Sequence, residues 1–64
     1  MIKVNGTMVS CAGSTLTDYL RSAGYNTTRI AVERNGDIVP KSQYDVTVLQ
    51  DGDVLEVVSF VGGG

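Results

Sequence analysis

Histidine and tryptophan are absent from this 64-residue sequence, and cysteine and proline occur once each. Without histidine, the chain lacks the side chain that most often moves protons or binds a metal near neutral pH. No metal-ligand cluster is apparent from sequence. The lone Cys11 has no partner for an internal disulfide, whereas a secreted domain this small ordinarily carries several. Basic residues are few as well. Five Lys and Arg scattered along a chain of net charge −2 form no patch that tracks a phosphate backbone, which argues against nucleic acid as a partner. No apolar run reaches the roughly 20 residues a membrane span needs, and Met1 to Asn5 lacks the architecture of a secretory signal. The expected location is therefore cytoplasmic, with no membrane partner. Neither a P-loop nor a dinucleotide-binding fingerprint is present.

What is there is one small domain, with little core to spend on an enclosed active site. Domains near this size bury only about 60% of the surface their unfolded chain exposes. The first ten residues read as a β-hairpin turning at Asn5-Gly6, a strong two-residue turn signal. That turn pairs Val4 with Thr7 and Ile2 with Val9. Ile2, Val4, Val9 and Cys11 then share an apolar face, and Lys3, Asn5, Met8 and Ser10 lie on the other. On that face Cys11 acts as a small apolar residue at the core margin; the alternative is a reactive thiol, but no base stands nearby in sequence to lower its pKa.

Residues 14 to 24 read as a helix, with Leu16, Tyr19, Leu20 and Ala23 forming the core-facing stripe. Thr15 followed by Asp18 resembles a capping box, and Gly24 suits a terminator. This places Tyr19 in the core rather than in any chemistry. A strand at Ile30 to Glu33 leads through a second turn signal, Asn35-Gly36, into Ile38-Val39, where Pro40 ends the element. A short helical turn or loop at Lys41 to Tyr44, an apolar run at Val46 to Leu49 and a tight turn at Asp51-Gly52-Asp53 follow. The last strand, Val54 to Val61, is apolar on both faces apart from Glu56 and Ser59, as a central strand would be. If the N-terminal strand is its neighbour, the two run parallel. The expectation is an α+β fold: a mixed sheet of four to five strands with one helix packed across it.

Alternation divides the last strand into Leu55, Val57, Ser59 and Val61 on one face and Val54, Glu56, Val58 and Phe60 on the other. Only one face can lie under the helix. Phe60 and Val61 border the end of the chain in either case and are candidate partner-docking residues; the alternative for Phe60 is that it completes the core. Beyond them come Gly62, Gly63 and Gly64. Glycine lacks Cβ, so such a run threads a narrow channel where other residues would not. Three or four extended residues reach roughly 10–13 Å. On their own these glycines fit a frayed terminus as well as a functional stalk.

Taken together, several features resemble the ubiquitin-like β-grasp sulfur carriers of the ThiS family. They are the Met1 to Asn5 strand entering a hairpin, Cys11 before the helix, Ile38-Val39-Pro40 followed by a short turn, Gln50-Asp51-Gly52-Asp53 before the last strand, and the terminal glycines. The resemblance covers essentially the whole chain, as a β-grasp body over residues 1–61 and a flexible glycine tail over 62–64. Gly63 and Gly64 match the family's glycine pair, while Gly62 is an additional one.

The resemblance implies a protein co-substrate rather than an enzyme, monomeric on its own and binding no cofactor. An E1-like adenylyltransferase would use ATP to adenylate the Gly64 carboxylate. Sulfur from a donor such as a cysteine desulfurase would convert it to a thiocarboxylate, which passes sulfur to thiazole synthase in thiamin biosynthesis. Gly62 and Gly63 would form the passage into those active sites. The alternatives are a carrier for molybdopterin or another sulfur-transfer pathway, and a non-catalytic β-grasp binding module whose terminus is never modified.

Overall fold

The computed structural model describes residues 1–60. Two hairpins flank a single central strand. β1 (Ile2–Val4) and β2 (Thr7–Val9) form the first hairpin, and β3 (Ile30–Arg34) and β4 (Asp37–Val39) the second. β5 (Val54–Ser59) lies between them, giving the order β2-β1-β5-β3-β4. It runs parallel to β1 and antiparallel to β3. The mixed sheet of four to five strands expected from sequence is thus present with five, and the apolar strand is at its centre.

Both hairpins turn on Asn-Gly with positive φ at each residue: 49° and 85° at Asn5-Gly6, 52° and 90° at Asn35-Gly36. This backbone matches the right-handed twist of the flanking strands, and it sets the expected register of Ile2 with Val9 and Val4 with Thr7. Each turn asparagine also reaches β5. The Asn5 amide donates to the Val57 carbonyl (3.1 Å) and its side-chain oxygen accepts from the Val57 N–H (2.8 Å). Asn5 therefore extends the parallel ladder one step beyond the end of β1. On the other flank, the Asn35 side-chain oxygen accepts from the Val54 N–H at 2.9 Å.

α1 spans Leu16–Ser22, shorter at both ends than the expected residues 14 to 24. Gly13 and Ser14 are held outside it by backbone bonds to Leu49, and the Leu16 N–H donates to the Thr47 carbonyl at 2.8 Å. Thr15 is the N-cap, its hydroxyl accepting from the Asp18 N–H at 3.1 Å. At the other end Tyr25 N–H donates to Leu20 and Gly24 N–H to Arg21, at 3.0 and 3.1 Å. With Gly24 at φ 85°, these bonds form a Schellman terminator. Leu16, Tyr19 and Leu20 face the core as expected, but Ala23 does not. It is the C-cap, beyond the last helical residue, and it is exposed.

The core lies between α1 and one face of the sheet. Ile2, Val4, Leu16, Leu20, Ile30, Val32 and Leu55 are its buried centre, closed by Tyr19, Tyr44, Leu49 and Val57, with Val9, Cys11, Tyr25 and Val39 packed at the margin. The apolar run Val46 to Leu49 forms no ladder. Apart from one bridge between Thr15 and Val48, it runs as a loop that buries Leu49 and leaves Val46 exposed. A one-turn 3₁₀ helix, Lys41–Gln43, precedes it, as expected after Pro40.

Candidate functional site: the open sheet face

Among the described residues there is no pocket, and no group of three or more His, Cys, Asp or Glu side chains is arranged to hold a metal. No described helix is long and apolar enough to cross a membrane. Binding surface, rather than a cleft, is what the described body offers.

The two faces of β5 are clearly distinguished. Leu55 and Val57 lie under the helix. Ser59 has the same parity but is exposed. Val54, Val58 and Phe60 point the other way and are 42%, 57% and 56% exposed, with Glu56 beside them. Phe60 is thus not a core residue: its N–H continues the ladder to the Arg29 carbonyl (2.8 Å) while its ring lies largely in solvent. Val61, Gly62, Gly63 and Gly64 lie outside the described residues.

Strand pairing brings further side chains onto this open face. Met8, Lys3 and Val54 form one row across β2, β1 and β5. Glu56, Glu33 and Ile38 form the next across β5, β3 and β4, and Val58 with Ala31 the one after. Met8 and Ile38 are 54% and 65% exposed. The result is a mainly apolar surface with two facing carboxylates in its middle, reaching to Phe60, the last described residue.

The start of β5 is fixed by a polar knot. The buried Asp53 carboxylate accepts from Arg34 Nε at 2.8 Å, Asn35 Nδ2 at 2.9 Å and the Gln50 N–H at 2.9 Å. Burial alone would raise its pKa, but these hydrogen bonds and the Arg34 charge outweigh that and hold it below the ordinary aspartate value. The knot joins the β3–β4 turn to the Gln50-Asp51-Gly52-Asp53 turn, where Gly52 takes φ 91°. It orients the strand whose far end carries Phe60.

Cys11 has the opposite environment. Burial raises the thiol pKa, against a smaller lowering by the terminal ammonium. The sulfur is thus kept protonated, consistent with a packing role at the core margin. Tyr19 is likewise raised by burial first, then by Tyr25 and Cys11, as a core phenol would be.

A mixed sheet of order β2-β1-β5-β3-β4 with one helix across it and its opposite face uncovered defines a ubiquitin-like β-grasp protein. The family model of the ThiS family matches residues 2–64, and the chain belongs to that family. It is 41% identical, over the full length of both chains, to a protein of Bacillus subtilis named sulfur carrier protein ThiS. It is 47% identical over 53 residues to a thiazole synthase of Paramagnetospirillum magneticum, covering 83% of this chain but only 16% of that much longer protein. The crystal structure of a thiamine biosynthesis protein (ThiS) from Geobacter metallireducens matches with a TM-score of 0.78 at 31% identity, covering 98% of this chain and 97% of that one.

Proposed function

We propose that this chain is a sulfur carrier of thiazole formation in thiamin biosynthesis, and that its reactive group is the α-carboxylate of Gly64. The observation that carries the reading is the extent of the family match, which spans residues 2–64 and so includes the glycines as well as the body.

The chemistry explains why those residues are glycines. A free carboxylate resists substitution because expelling an oxide is unfavourable. Attack of the Gly64 carboxylate on the α-phosphate of ATP, with loss of pyrophosphate, converts that oxygen into part of a good leaving group. A sulfur nucleophile then adds to the carbonyl and AMP departs, taking the electrons of the broken C–O bond. Where the sulfur arrives as a persulfide from a cysteine desulfurase, a thiol supplies the two electrons that release the thiocarboxylate. The adenylate has to be reached from several directions, and side chains at Gly63 or Gly64 would crowd that approach. An E1-like adenylyltransferase supplies the ATP site, so the chain acts as co-substrate, a monomer without a bound cofactor of its own. Gly62 and Gly63 form the passage, and Phe60 and Val61 dock the enzymes.

Thiazole synthase is favoured as sulfur acceptor over a molybdopterin enzyme because segments of thiazole synthases are among the relatives. Incubation with the adenylyltransferase, ATP, a cysteine desulfurase and cysteine, followed by intact mass spectrometry, tests the reading. The expected product carries one sulfur in place of one oxygen at Gly64. An unchanged mass would refute the carrier reading and leave the β-grasp binding module.

A further inference from the structure

The open face contains an arrangement that works against the stability of the sheet. β3 and β5 pair so that Glu33 stands directly opposite Glu56, and both side chains are exposed. Like charges facing each other across an antiparallel pair are destabilising. The ion pairs among the described residues are the Met1 ammonium with Asp51 and Arg34 with Asp53, and neither glutamate takes part. Lys3 is on the same face, in the row beside Val54, but among the described residues it forms no ion pair with either carboxylate. Local rules broken without compensation tend to mark functional positions.

The surroundings indicate what relieves the conflict. Ile38 continues the row of the two glutamates, and Val54, Val58 and Phe60 flank it along β5, all substantially exposed. The surface is therefore an apolar ring around a double negative charge. Its complement is an apolar protein surface carrying one cation near its centre. An arginine suits the position best, because its planar fork can bond both carboxylates at once.

We propose that the face docks the adenylating enzyme, which inserts a single arginine or lysine between Glu33 and Glu56 and covers the apolar ring around them. This rests on the carrier reading above. Only four residues separate Phe60 from the Gly64 carboxylate, about 13 Å at full extension, so the enzyme that takes up Gly64 has part of its surface within reach of this face. The free carrier retains the repulsion, and the complex relieves it. Closing water out of the apolar ring strengthens the charge-assisted bonds and makes a partner without the cation a poor fit.

The test compares wild type with Glu33→Gln, Glu56→Gln and the double variant, none of which alters the core. Thermal unfolding is measured on each free protein. The kcat and KM for the carrier are measured in ATP–pyrophosphate exchange with the adenylating enzyme at low and high salt, and KM for the thiocarboxylated carrier with thiazole synthase. Each single variant is expected to melt about 1–8 °C higher than wild type. Its KM in the exchange assay is expected to rise roughly tenfold to a hundredfold with kcat unchanged, and the double variant to lose most of the salt dependence. A KM within twofold of wild type would overturn the proposal while leaving the carrier reading intact. An effect confined to thiazole synthase would assign the face to that enzyme and also overturn it. If wild type itself supports no exchange, the carrier reading fails and this inference falls with it.

Discussion

Replacing Asp53 by asparagine removes one charge and leaves almost the same volume, so it isolates what the carboxylate does at the start of β5. Asp53 is 7% exposed and accepts from three donors on Arg34, Asn35 and Gln50. An asparagine there keeps a single acceptor oxygen and turns an NH2 group toward the remaining donors. A hydrogen bond to a charged group contributes about 1.5–3 kcal/mol, and an unsatisfied buried donor costs about 1–3 kcal/mol. Because the Arg34 side chain is 30% exposed, solvent discounts its share. The expected loss is about 2–4 kcal/mol at pH 7, a large fraction of the stability of so small a domain.

The pH dependence has a definite sign. The pKa of Asp53 is depressed in the folded state, so its contribution is fully present above the unfolded value near 3.8 and is lost as pH falls through the folded value. Urea unfolding followed by circular dichroism, at pH 7 and in steps below pH 4, measures the difference between the two proteins. With an m-value of about 1 kcal/mol/M, the midpoints should differ by about 2–4 M at pH 7 and converge as the carboxylate is protonated. Equal midpoints at pH 7 would refute the knot as a source of stability. A gap that persists undiminished to the lowest pH would refute the electrostatic explanation of it.

Leu20 is fully buried, and Leu20→Ala should cost about 2–5 kcal/mol in thermal or urea unfolding, since the helix cannot collapse onto the cavity. Asn5→Ala removes both the side chain suited to φ 49° and the two bonds to Val57, and should destabilise by about 1–3 kcal/mol, read from the same curves. Adding one alanine after Gly64 should leave the melting temperature within about 1 °C, because the core of the described residues lies between Ile2 and Val57. The same extension should abolish the sulfur-for-oxygen mass change, which intact mass spectrometry detects.

The hairpins were legible because each rests on two adjacent residues: Asn-Gly demands one turn type, and that turn dictates the register on both sides. The central position of β5 was legible from its two apolar faces. The helix limits were not, because what holds Ser14 outside the helix is Leu49, a residue far along the chain. Ala23 fitted the 3.6-residue period, but periodicity does not register where the helix stops, and Ala23 is its exposed C-cap. The sequence divided β5 into its two faces, yet choosing which one is covered required knowing where the helix packs. The same limit hid the facing of Glu33 and Glu56. The Asn35-Gly36 turn places Glu33 opposite Ile38, but the pairing of β3 with β5 depends on the approach of two distant segments, and no local signal sets it.

The parallel pairing of β1 with β5 sets Lys3 beside Val54, and this has a consequence for how the protein is made. The two hairpins are not neighbours in the sheet; they are joined through β5. A nascent chain that has not yet produced β5 has two separate ribbons and a short helix, none of which is stable alone. Closing so distant a contact is slow relative to forming local turns, so native structure waits for β5. A chain cut off before β5 lacks the strand that joins the two hairpins, and with it the open apolar face. Folding order thus ties that face to one late segment: it does not exist until its central strand has been made.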